Sequence, residues 1–215
     1  MARKQKIKAL AVARILEKAF PDARCALHYE TPEQLLFATI LSAQCTDERV
    51  NATTPALFAR FPSSRELARA RPAEVEKLIY STGFYKNKAR SLIESSKKIQ
   101  EEHGGVLPRT MEELVRLPGV GRKTANVVLG DVFGTQEGIV VDTHVKRIAN
   151  LLGLTRQNSP EKIERELMAI LPREYWTKFA HWLILHGRRT CVARRPKCGE
   201  CALRRVCDYG SKEIL

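Results

Sequence analysis

The sequence predicts an all-α protein, and three observations support this fold class. Apolar residues recur with the 3.6-residue period of an amphipathic helix along most of the chain. Helix-start patterns precede several of these segments. The single strand-like run, GIVVDTHV at positions 138–145, is too short to carry a sheet. The 215 residues fit one large domain or two small lobes, and usual helix lengths give about ten short helices.

Helix starts are predicted from capping residues. A serine or threonine followed three residues later by glutamate or glutamine, the capping-box pattern, occurs at positions 31–34, 63–66 and 110–113. Pro32 suits the first helical position, and Asn158 or Ser159 before Pro160 marks a further start. The segment FGTQEG at 133–138 is the best linker candidate because it places two glycines among polar residues.

The charge balance predicts a polyanionic partner. Lys and Arg number 37 against 24 Asp and Glu, which gives a formal net charge of +13. A protein this basic commonly binds nucleic acid, and a generically basic surface is the alternative. No run approaches the roughly 20 apolar residues of a membrane span, and the N-terminal segment lacks the apolar stretch of a secretion signal. We therefore expect a cytoplasmic monomer without membrane contact, whose apolar stripes are all needed for its core.

The stretch TMEELVRLPGVGRKTANVVLGDVF, positions 110–133, predicts two helices joined by a tight hairpin. Pro118 blocks continuation of the first helix beyond Leu117, and Gly119 and Gly121 permit left-handed or crowded backbone. Such a turn exposes main-chain N–H groups that can bind phosphate without reading the bases. The alternative is a plain structural turn between two helices.

Lys123 stands at the start of the second helix of this hairpin, where the helix dipole disfavours a cation. It falls opposite the apolar face of that helix, so we expect it to be exposed. The helix N-terminus favours the neutral amine over the ammonium, and a neutral amine is a nucleophile that can form a Schiff base. The alternatives are a solvated lysine or a phosphate contact.

Asp142 ends the strand-like run and begins the next predicted helix. An N-cap role alone would explain an aspartate at this position. A carboxylate can also stabilise a cation that develops on a substrate, and the two roles are compatible.

Four of the six cysteines follow a C-x6-C-x2-C-x5-C pattern, at Cys191, Cys198, Cys201 and Cys207. Without a secretion signal, a metal site is favoured over disulfides. Four thiolates can hold zinc or a [4Fe–4S] cluster, and the spacing alone does not decide between them. Positions 188–205 carry seven Lys or Arg residues and one acid, Glu200. This excess favours phosphate binding by the cysteine loop.

These features together resemble the endonuclease III family, DNA glycosylases of the helix-hairpin-helix superfamily. The resemblance runs nearly end to end and rests on LSAQCTD, GFYKNKA, LPGVGRKTANVV, VDTHVKR, HWLILHGRRTC and the cysteine pattern. It implies two helical lobes with DNA in the cleft between them. One lobe is a six-helix barrel over residues 25–136, with the helix-hairpin-helix at about 111–130. The other joins residues 1–24 and 137–215 and holds one [4Fe–4S] cluster in the loop 191–207.

The resemblance also implies roles for individual residues. Lys123 matches the family's nucleophile, Asp142 matches the aspartate of its V-D-T-H motif, and the four patterned cysteines match the cluster ligands. Gln44 matches the gap-filling glutamine, and Phe84 takes the wedge position, where leucine is the usual form. His144 either lines the pocket or is a satisfied histidine at a helix start. The predicted DNA-contacting residues are Gln44, Phe84, Gly119, Val120, Gly121, Arg122, Thr124, His144, Arg194, Arg195 and Lys197.

The implied activity is that of a bifunctional DNA glycosylase and AP lyase of base excision repair, associated with the nucleoid. Such an enzyme removes oxidised pyrimidines such as thymine glycol from double-stranded DNA and cuts 3′ to abasic sites by β-elimination through a lysine Schiff base. A pyrimidine-dimer glycosylase/lyase is the main alternative. A non-enzymatic iron–sulfur DNA-binding protein and a zinc-stabilised nucleic-acid module are two others. An adenine-DNA glycosylase is disfavoured because that class lacks a lysine at the position of Lys123.

Overall fold

The computed structural model describes residues 2–212. Within this range the chain forms eleven α-helices and four short 3₁₀ helices and contains no strand, which confirms the all-α prediction. The α-helices are α1 (Ala2–Ala19), α2 (Pro32–Leu41), α3 (Asp47–Arg60), α4 (Ser64–Leu67), α5 (Pro72–Ile79), α6 (Tyr85–His103), α7 (Met111–Leu114), α8 (Arg122–Asp131), α9 (Thr143–Leu151), α10 (Pro160–Ile170) and α11 (Trp176–Arg189). The 3₁₀ helices are Tyr80–Thr82, Arg173–Tyr175, Cys198–Glu200 and Arg204–Val206. No helix in the described part of the chain is both long and apolar enough to span a membrane.

The chain divides into two compact units, with divisions after Arg24 and after Thr135. Residues 25–135 form what we call the hairpin unit, and residues 2–24 together with 136–212 form the cysteine unit. Each unit has its own cluster of buried apolar side chains. Each therefore has the core that an independently packed body requires.

The hairpin unit is built around α2, which is buried along nearly its whole length, from Gln34 to Leu41. A helix that is apolar on all sides belongs in the centre of a core. Around it, α3, α6 and α8 pack directly on α2, while α4 and α5 pack on α6. The end of α2 and the start of α6 therefore have fixed positions. Gln44 follows the end of α2 and Phe84 directly precedes α6, and both are predicted to contact DNA.

The cysteine unit packs α1 against α10 and α11, and α11 also packs against α9. Trp182 and Phe179 of α11 are buried in this core together with Leu16 of α1. The Trp182 indole N–H donates to the Phe20 carbonyl at 3.1 Å, which satisfies its one polar atom. Positions 138–142, part of the strand-like run, form a non-helical connection into α9.

The predicted capping residues begin their helices. Thr31 accepts a hydrogen bond from the Gln34 main-chain N–H at 3.3 Å. The Gln34 side chain accepts instead from the Glu30 N–H at 2.8 Å, so the reciprocal half of this box is shifted by one residue. A complete capping box is present at positions 63–66. Local capping chemistry therefore sets several helix starts of the hairpin unit.

Candidate nucleic-acid interface and cysteine site

The hairpin between α7 and α8 is seated tightly on α6. The helix α7 covers only Met111–Leu114 and is shorter than predicted. Gly119 has a φ of +78°, and a Cβ atom built on it would lie 2.7 Å from the Ser91 Cβ. The Ser95 hydroxyl donates to the Pro118 carbonyl at 2.6 Å. Position 119 therefore requires glycine both for its backbone conformation and for the close approach of α6.

Val120, which is predicted to contact DNA, has a buried side chain. Its side chain is 6% exposed and belongs to the core of the hairpin unit. Its main-chain N–H donates to the Leu117 carbonyl at 3.1 Å. Both its side chain and its N–H are engaged inside the protein, because the turn bends this residue toward the core. The Val120 side chain is therefore excluded from the exposed surface of the hairpin, and a DNA contact by this residue stays a prediction.

Gly121, by contrast, is not required to be glycine by its backbone conformation or by a neighbouring atom. Its φ is −91°, which any residue adopts, and a Cβ built on it would meet no atom within 4 Å. Gly121 is the N-cap of α8 and, lacking a side chain, makes no side-chain hydrogen bond to the first turn. The start of α8 is thus open on its outer side, as expected where a backbone is approached closely by a ligand.

Lys123 is the second residue of α8 and is exposed, as predicted. The buried face of α8 consists of Ala125, Asn126, Val128 and Leu129. The first turn contains no acidic residue. The Lys123 amine therefore stands near the positive end of the helix dipole without an acid in its turn. Arg122 beside it is exposed, and Thr124 is half-buried.

Gln44 and Phe84 share an unusual backbone conformation. Among residues 2–212 they are the two non-glycine residues with a positive φ, at 52° and 48°. Gln44 is exposed and follows the end of α2. Phe84 is the N-cap of α6 and is 63% exposed. A left-handed conformation is unfavourable for both residue types, and strain of this kind clusters at sites that hold a ligand.

Asp142 is the N-cap of α9, which confirms the capping interpretation. Its carboxylate accepts a hydrogen bond from the Val145 N–H at 2.8 Å, and the residue is half-buried. His144, two residues further on, packs over Gly187 of α11. A Cβ atom built at Gly187 would lie 2.6 Å from His144 Nδ1. This contact favours a helix-packing role for His144 over a role in lining a pocket.

The four patterned cysteines line one cavity of the cysteine unit. All four are half-buried. They follow the end of α11 and occupy the loop that contains the last two 3₁₀ helices. The cavity lining also includes Ile148, Leu151, His186, Leu203 and Tyr209, together with the basic residues Lys197 and Arg204. A mostly apolar wall around four thiols is the environment of a buried metal group rather than of a reactive surface cysteine.

Hydrogen-bond donors face two of these sulfur atoms. The Gly210 N–H lies 3.3 Å from Cys207 Sγ. Arg147 of α9 donates to the Cys191 carbonyl at 2.7 Å and lies 3.5 Å from its Sγ. Donors placed in this way stabilise negative charge on sulfur, and they are found around thiolate-ligated metal groups.

His186 and Cys201 have ionisation equilibria shifted by burial. The His186 Nε2 atom lies 3.6 Å from Cys201 Sγ. Burial, with the nearby Arg147 charge as a smaller cause, lowers the pKa of His186 to about 4. Burial raises the pKa of the Cys201 thiol, and the other three cysteines contribute in the same direction. His186 is therefore neutral at neutral pH, and the thiol needs a metal to stabilise its anion.

Four cysteines are the donor set of both a structural zinc ion and a [4Fe–4S] cluster. Within residues 2–212, no group of three or more His, Cys, Asp or Glu side chains is already arranged to hold a metal ion. The four patterned cysteines are half-buried around one cavity, which suits either group.

The basic residues between the first two cysteines are all exposed. Arg194, Arg195 and Lys197 have solvent-accessible side chains. The Lys197 N–H donates to the Thr190 carbonyl at 2.9 Å, which ties this loop back to the end of α11. The loop thus presents three cations from an anchored backbone.

Two residues outside the predicted set also contribute to these regions. Lys88 is 6% exposed in α6, and Arg147 is half-buried beside Cys191. The sequence contains a weak signal for Lys88, because it lies four residues before the buried Leu92, on the apolar face of α6. No pattern in the sequence distinguishes Arg147 from the other arginines.

Comparison with known proteins agrees with this geometry. A family model described as HhH-GPD superfamily base excision DNA repair protein matches residues 37–173, which is more than half of the chain. Endonuclease III of Synechocystis sp. is 53% identical over 203 residues, covering 94% of this chain and 93% of that protein. Endonuclease III of Bacillus subtilis is 44% identical over 194 residues, covering 90% of this chain and 88% of that protein.

A solved structure described as a trapped endonuclease III–DNA covalent intermediate, an estranged-adenine complex, matches with a TM-score of 0.90 at 40% identity. The match covers 98% of this chain and 99% of that chain. The chain therefore belongs to the endonuclease III family of the HhH-GPD superfamily of base excision DNA repair proteins.

Proposed function

We propose that the protein is a bifunctional DNA glycosylase and AP lyase that removes oxidised pyrimidines, thymine glycol among them, from duplex DNA. The observation that carries the proposal is the exposed Lys123 at the start of α8, directly after the open Gly121 N-cap. This places a nucleophilic side chain beside main-chain groups suited to a phosphate. Family membership supports the same reaction class, and the related endonuclease III forms a covalent intermediate with DNA.

The DNA backbone is bound without base readout. The start of α8 offers the positive end of a helix dipole to a phosphate, and Gly121 leaves room for it to approach. The exposed cations Arg194, Arg195 and Lys197 add a second, sequence-independent contact. Contacts of this kind fix the register of the enzyme on the duplex, while the choice of base depends on the flipped nucleotide.

Gln44 and Phe84 are assigned to the space vacated by the flipped nucleotide. A target base must leave the stack before its sugar can be attacked, which costs a few kcal/mol and less for a damaged base. An apolar wedge such as Phe84 separates stacked bases, and an amide such as Gln44 can hydrogen-bond the base left unpaired. Both side chains are exposed and held in a fixed, left-handed backbone conformation, which suits insertion.

The covalent chemistry begins at the side-chain amine of Lys123. Its Nζ attacks C1′ of the flipped nucleotide, the N-glycosidic bond breaks, and its electron pair leaves with the base, which takes up a proton. The C1′–O4′ bond of the sugar ring then breaks, O4′ takes up a proton from solvent, and the nitrogen lone pair forms a protonated imine between Nζ and C1′. Loss of a C2′ proton moves electrons toward this imine and expels the C3′ oxygen, so the strand breaks 3′ to the site. Water finally hydrolyses the imine and regenerates the lysine.

Asp142 is assigned to stabilising the positive charge that develops on the sugar as the base leaves. A preorganised carboxylate at such a position is one of the larger contributions to catalysis. Its hydrogen bond to the Val145 N–H fixes the orientation of the carboxylate. The capping role and the catalytic role thus use the same geometry.

Cys191, Cys198, Cys201 and Cys207 are assigned as ligands of one [4Fe–4S] cluster. When bound, the cluster cross-links the loop 191–207 and stabilises the thiolate form of its ligands. The main consequence for function is that Arg194, Arg195 and Lys197 are held on a rigid loop. We assign the iron–sulfur domain to residues 1–24 and 137–215 and the six-helix barrel domain to residues 25–136, a boundary one residue away from the division after Thr135.

Single-turnover assays on defined duplexes test the proposal. Duplexes with one thymine glycol, one abasic site, one cyclobutane pyrimidine dimer or no lesion are incubated with excess enzyme, and the cleaved strands are analysed. We expect base release from thymine glycol and incision at the abasic site, with an unsaturated aldehyde on the 3′ end. Preferential action on the dimer would replace the oxidised-pyrimidine assignment. Absence of turnover on all lesions by folded protein that binds DNA would overturn the enzymatic proposal.

A further inference from the structure

Lys88 of α6 is a buried lysine with two main-chain partners. Its side chain is 6% exposed, and its Nζ donates hydrogen bonds of 2.8 Å to the carbonyls of Leu41 and Thr82. Its main-chain N–H also donates to the Phe84 carbonyl at 3.0 Å. Burial lowers the pKa of Lys88, so its ammonium is held at an energetic disadvantage. A buried charge of this kind is retained where its hydrogen bonds serve a purpose that an apolar side chain cannot.

The two carbonyls come from the ends of the two segments that lead into the strained residues. Leu41 is the last residue of α2, three positions before Gln44. Thr82 is the last residue of the 3₁₀ helix Tyr80–Thr82, two positions before Phe84. The C-terminal carbonyls of helical segments lack partners within the segment and carry partial negative charge, so a cation is well suited to both. The Lys88 ammonium therefore caps the C-terminal ends of both segments.

The strained residues need such an anchor. Gln44 and Phe84 have positive φ values of 52° and 48°, a conformation that is unfavourable for a residue with a Cβ. Phe84 is 63% exposed, so packing of its own ring contributes little to holding this conformation. Strained backbone persists only where surrounding contacts over-determine it. The Thr53 hydroxyl of α3 lies 2.9 Å from the Ser81 hydroxyl, so the segment before Phe84 is also tied to α3.

We infer that Lys88 is a positioning residue that fixes the segment carrying Gln44 relative to the segment carrying Phe84, so that both side chains enter the duplex together when a nucleotide is flipped. The inference rests on the proposed function of the two residues as gap filler and wedge. Lys88 itself touches no reacting atom. Lys88 affects the opening of the base pair, which precedes the chemical steps at Lys123.

The test compares Lys88→Met with Lys97→Met. Methionine keeps most of the side-chain length and removes the donors, while Lys97 is an exposed lysine on the same helix and loses the same charge. The first measurement is the fluorescence of 2-aminopurine placed opposite a non-cleavable abasic analogue, which reports insertion of the wedge and the glutamine. The second compares single-turnover excision of thymine glycol with borohydride trapping at a preformed abasic site.

We expect Lys88→Met to lose most of the fluorescence change and to excise thymine glycol about 10–100-fold more slowly, because small misplacements of positioning groups have effects of this size. Trapping at the preformed abasic site, which requires no base-pair opening against an intact nucleobase, should fall far less. Amide hydrogen exchange should accelerate at positions 42–46 and 80–85 but not in α8. Lys97→Met should match the wild type in all of these measurements.

Lys88→Gln provides a second variant, because its amide keeps donor groups and should give an intermediate fluorescence change even if Lys88→Met fails to fold. Wild-type fluorescence and excision in either Lys88 variant would overturn the inference. A parallel loss of excision, trapping and thermal stability would also overturn it, by showing a general structural role. Failure of the wild-type protein to be trapped at abasic sites would instead count against the proposed function, so the two failures are distinguishable.

Discussion

A Cβ atom built at Gly119 would lie 2.7 Å from the Cβ of Ser91, closer than such atoms approach in proteins. The hairpin backbone thus rests directly on α6, and Ser95, one turn further along, donates to the Pro118 carbonyl at 2.6 Å. The two hairpin glycines consequently have different reasons to be glycine. Position 119 meets the interior of the protein, whereas position 121 faces open space.

Gly119→Ala should destabilise the fold, because it combines the φ of +78° with the Ser91 clash. We expect the free energy of unfolding to fall by about 2 kcal/mol or more. Gly121→Ala is the matched control and should change the free energy of unfolding by less than about 1 kcal/mol, while weakening DNA binding. Urea denaturation and DNA-binding titrations of both variants test this. Equal stability losses in the two variants would contradict the steric account.

Phe84→Gly and Gln44→Gly should each raise the free energy of unfolding and slow the excision of thymine glycol. Glycine adopts the left-handed conformation freely, so the free energy of unfolding should rise by about 0.5–1 kcal/mol in each variant. Excision of thymine glycol should slow in both, since the inserted side chain is lost. Tyr80→Gly is the control, because Tyr80 is an exposed aromatic residue with an ordinary helical φ of −48° and its replacement should destabilise. A loss of stability in both strained positions would refute the strain assignment.

Asp142→Asn separates the capping role from the catalytic role. Asparagine caps helices about as well as aspartate, so the thermal midpoint should change little. The base-release rate should fall about 100-fold or more if the carboxylate stabilises the cationic sugar. Asp142→Ala should show the same rate loss and an additional loss of about 1 kcal/mol in stability. Wild-type base release by Asp142→Asn would leave Asp142 as a helix cap alone.

Cys198→Ser should lower stability and DNA affinity more than it lowers the rate of Schiff-base formation. We expect less iron and sulfide per protein, a lower thermal midpoint and weaker DNA binding, because the cluster cross-links the loop that carries Arg194, Arg195 and Lys197. At saturating DNA, the folded fraction should still form the Schiff base. Colourless wild-type protein containing stoichiometric zinc would contradict the cluster assignment. A Cys198→Ser protein that folds and binds DNA normally but fails in turnover would contradict the structural role.

Local sequence patterns predict a large part of this molecule. The all-α class, the Asp142 N-cap and the exposure of Lys123 each follow from periodicity or capping chemistry within a few residues of the chain. These features depend on one helix at a time. The observed structure of each agrees with the prediction.

The features that sequence reasoning missed depend on contacts between distant segments. Val120 looks like part of an exposed turn, yet the turn bends its side chain into the core. Lys88 looks like a surface lysine in KNKARS, yet it reaches the end of α2, 47 residues earlier in the chain. The sequence pattern also extends the first hairpin helix to Leu117, whereas α7 ends at Leu114, before the turn that buries Leu117. Tertiary packing overrides local propensity in all three cases.

Borohydride trapping shows whether Lys123 forms a Schiff base with DNA. Wild-type protein and Lys123→Ala are each mixed with a duplex carrying one abasic site, and sodium borohydride is added. We predict a covalent protein–DNA band with the wild type and none with Lys123→Ala, while both proteins bind the duplex with similar affinity. An undiminished band from Lys123→Ala would show that another amine is the nucleophile and would contradict the account.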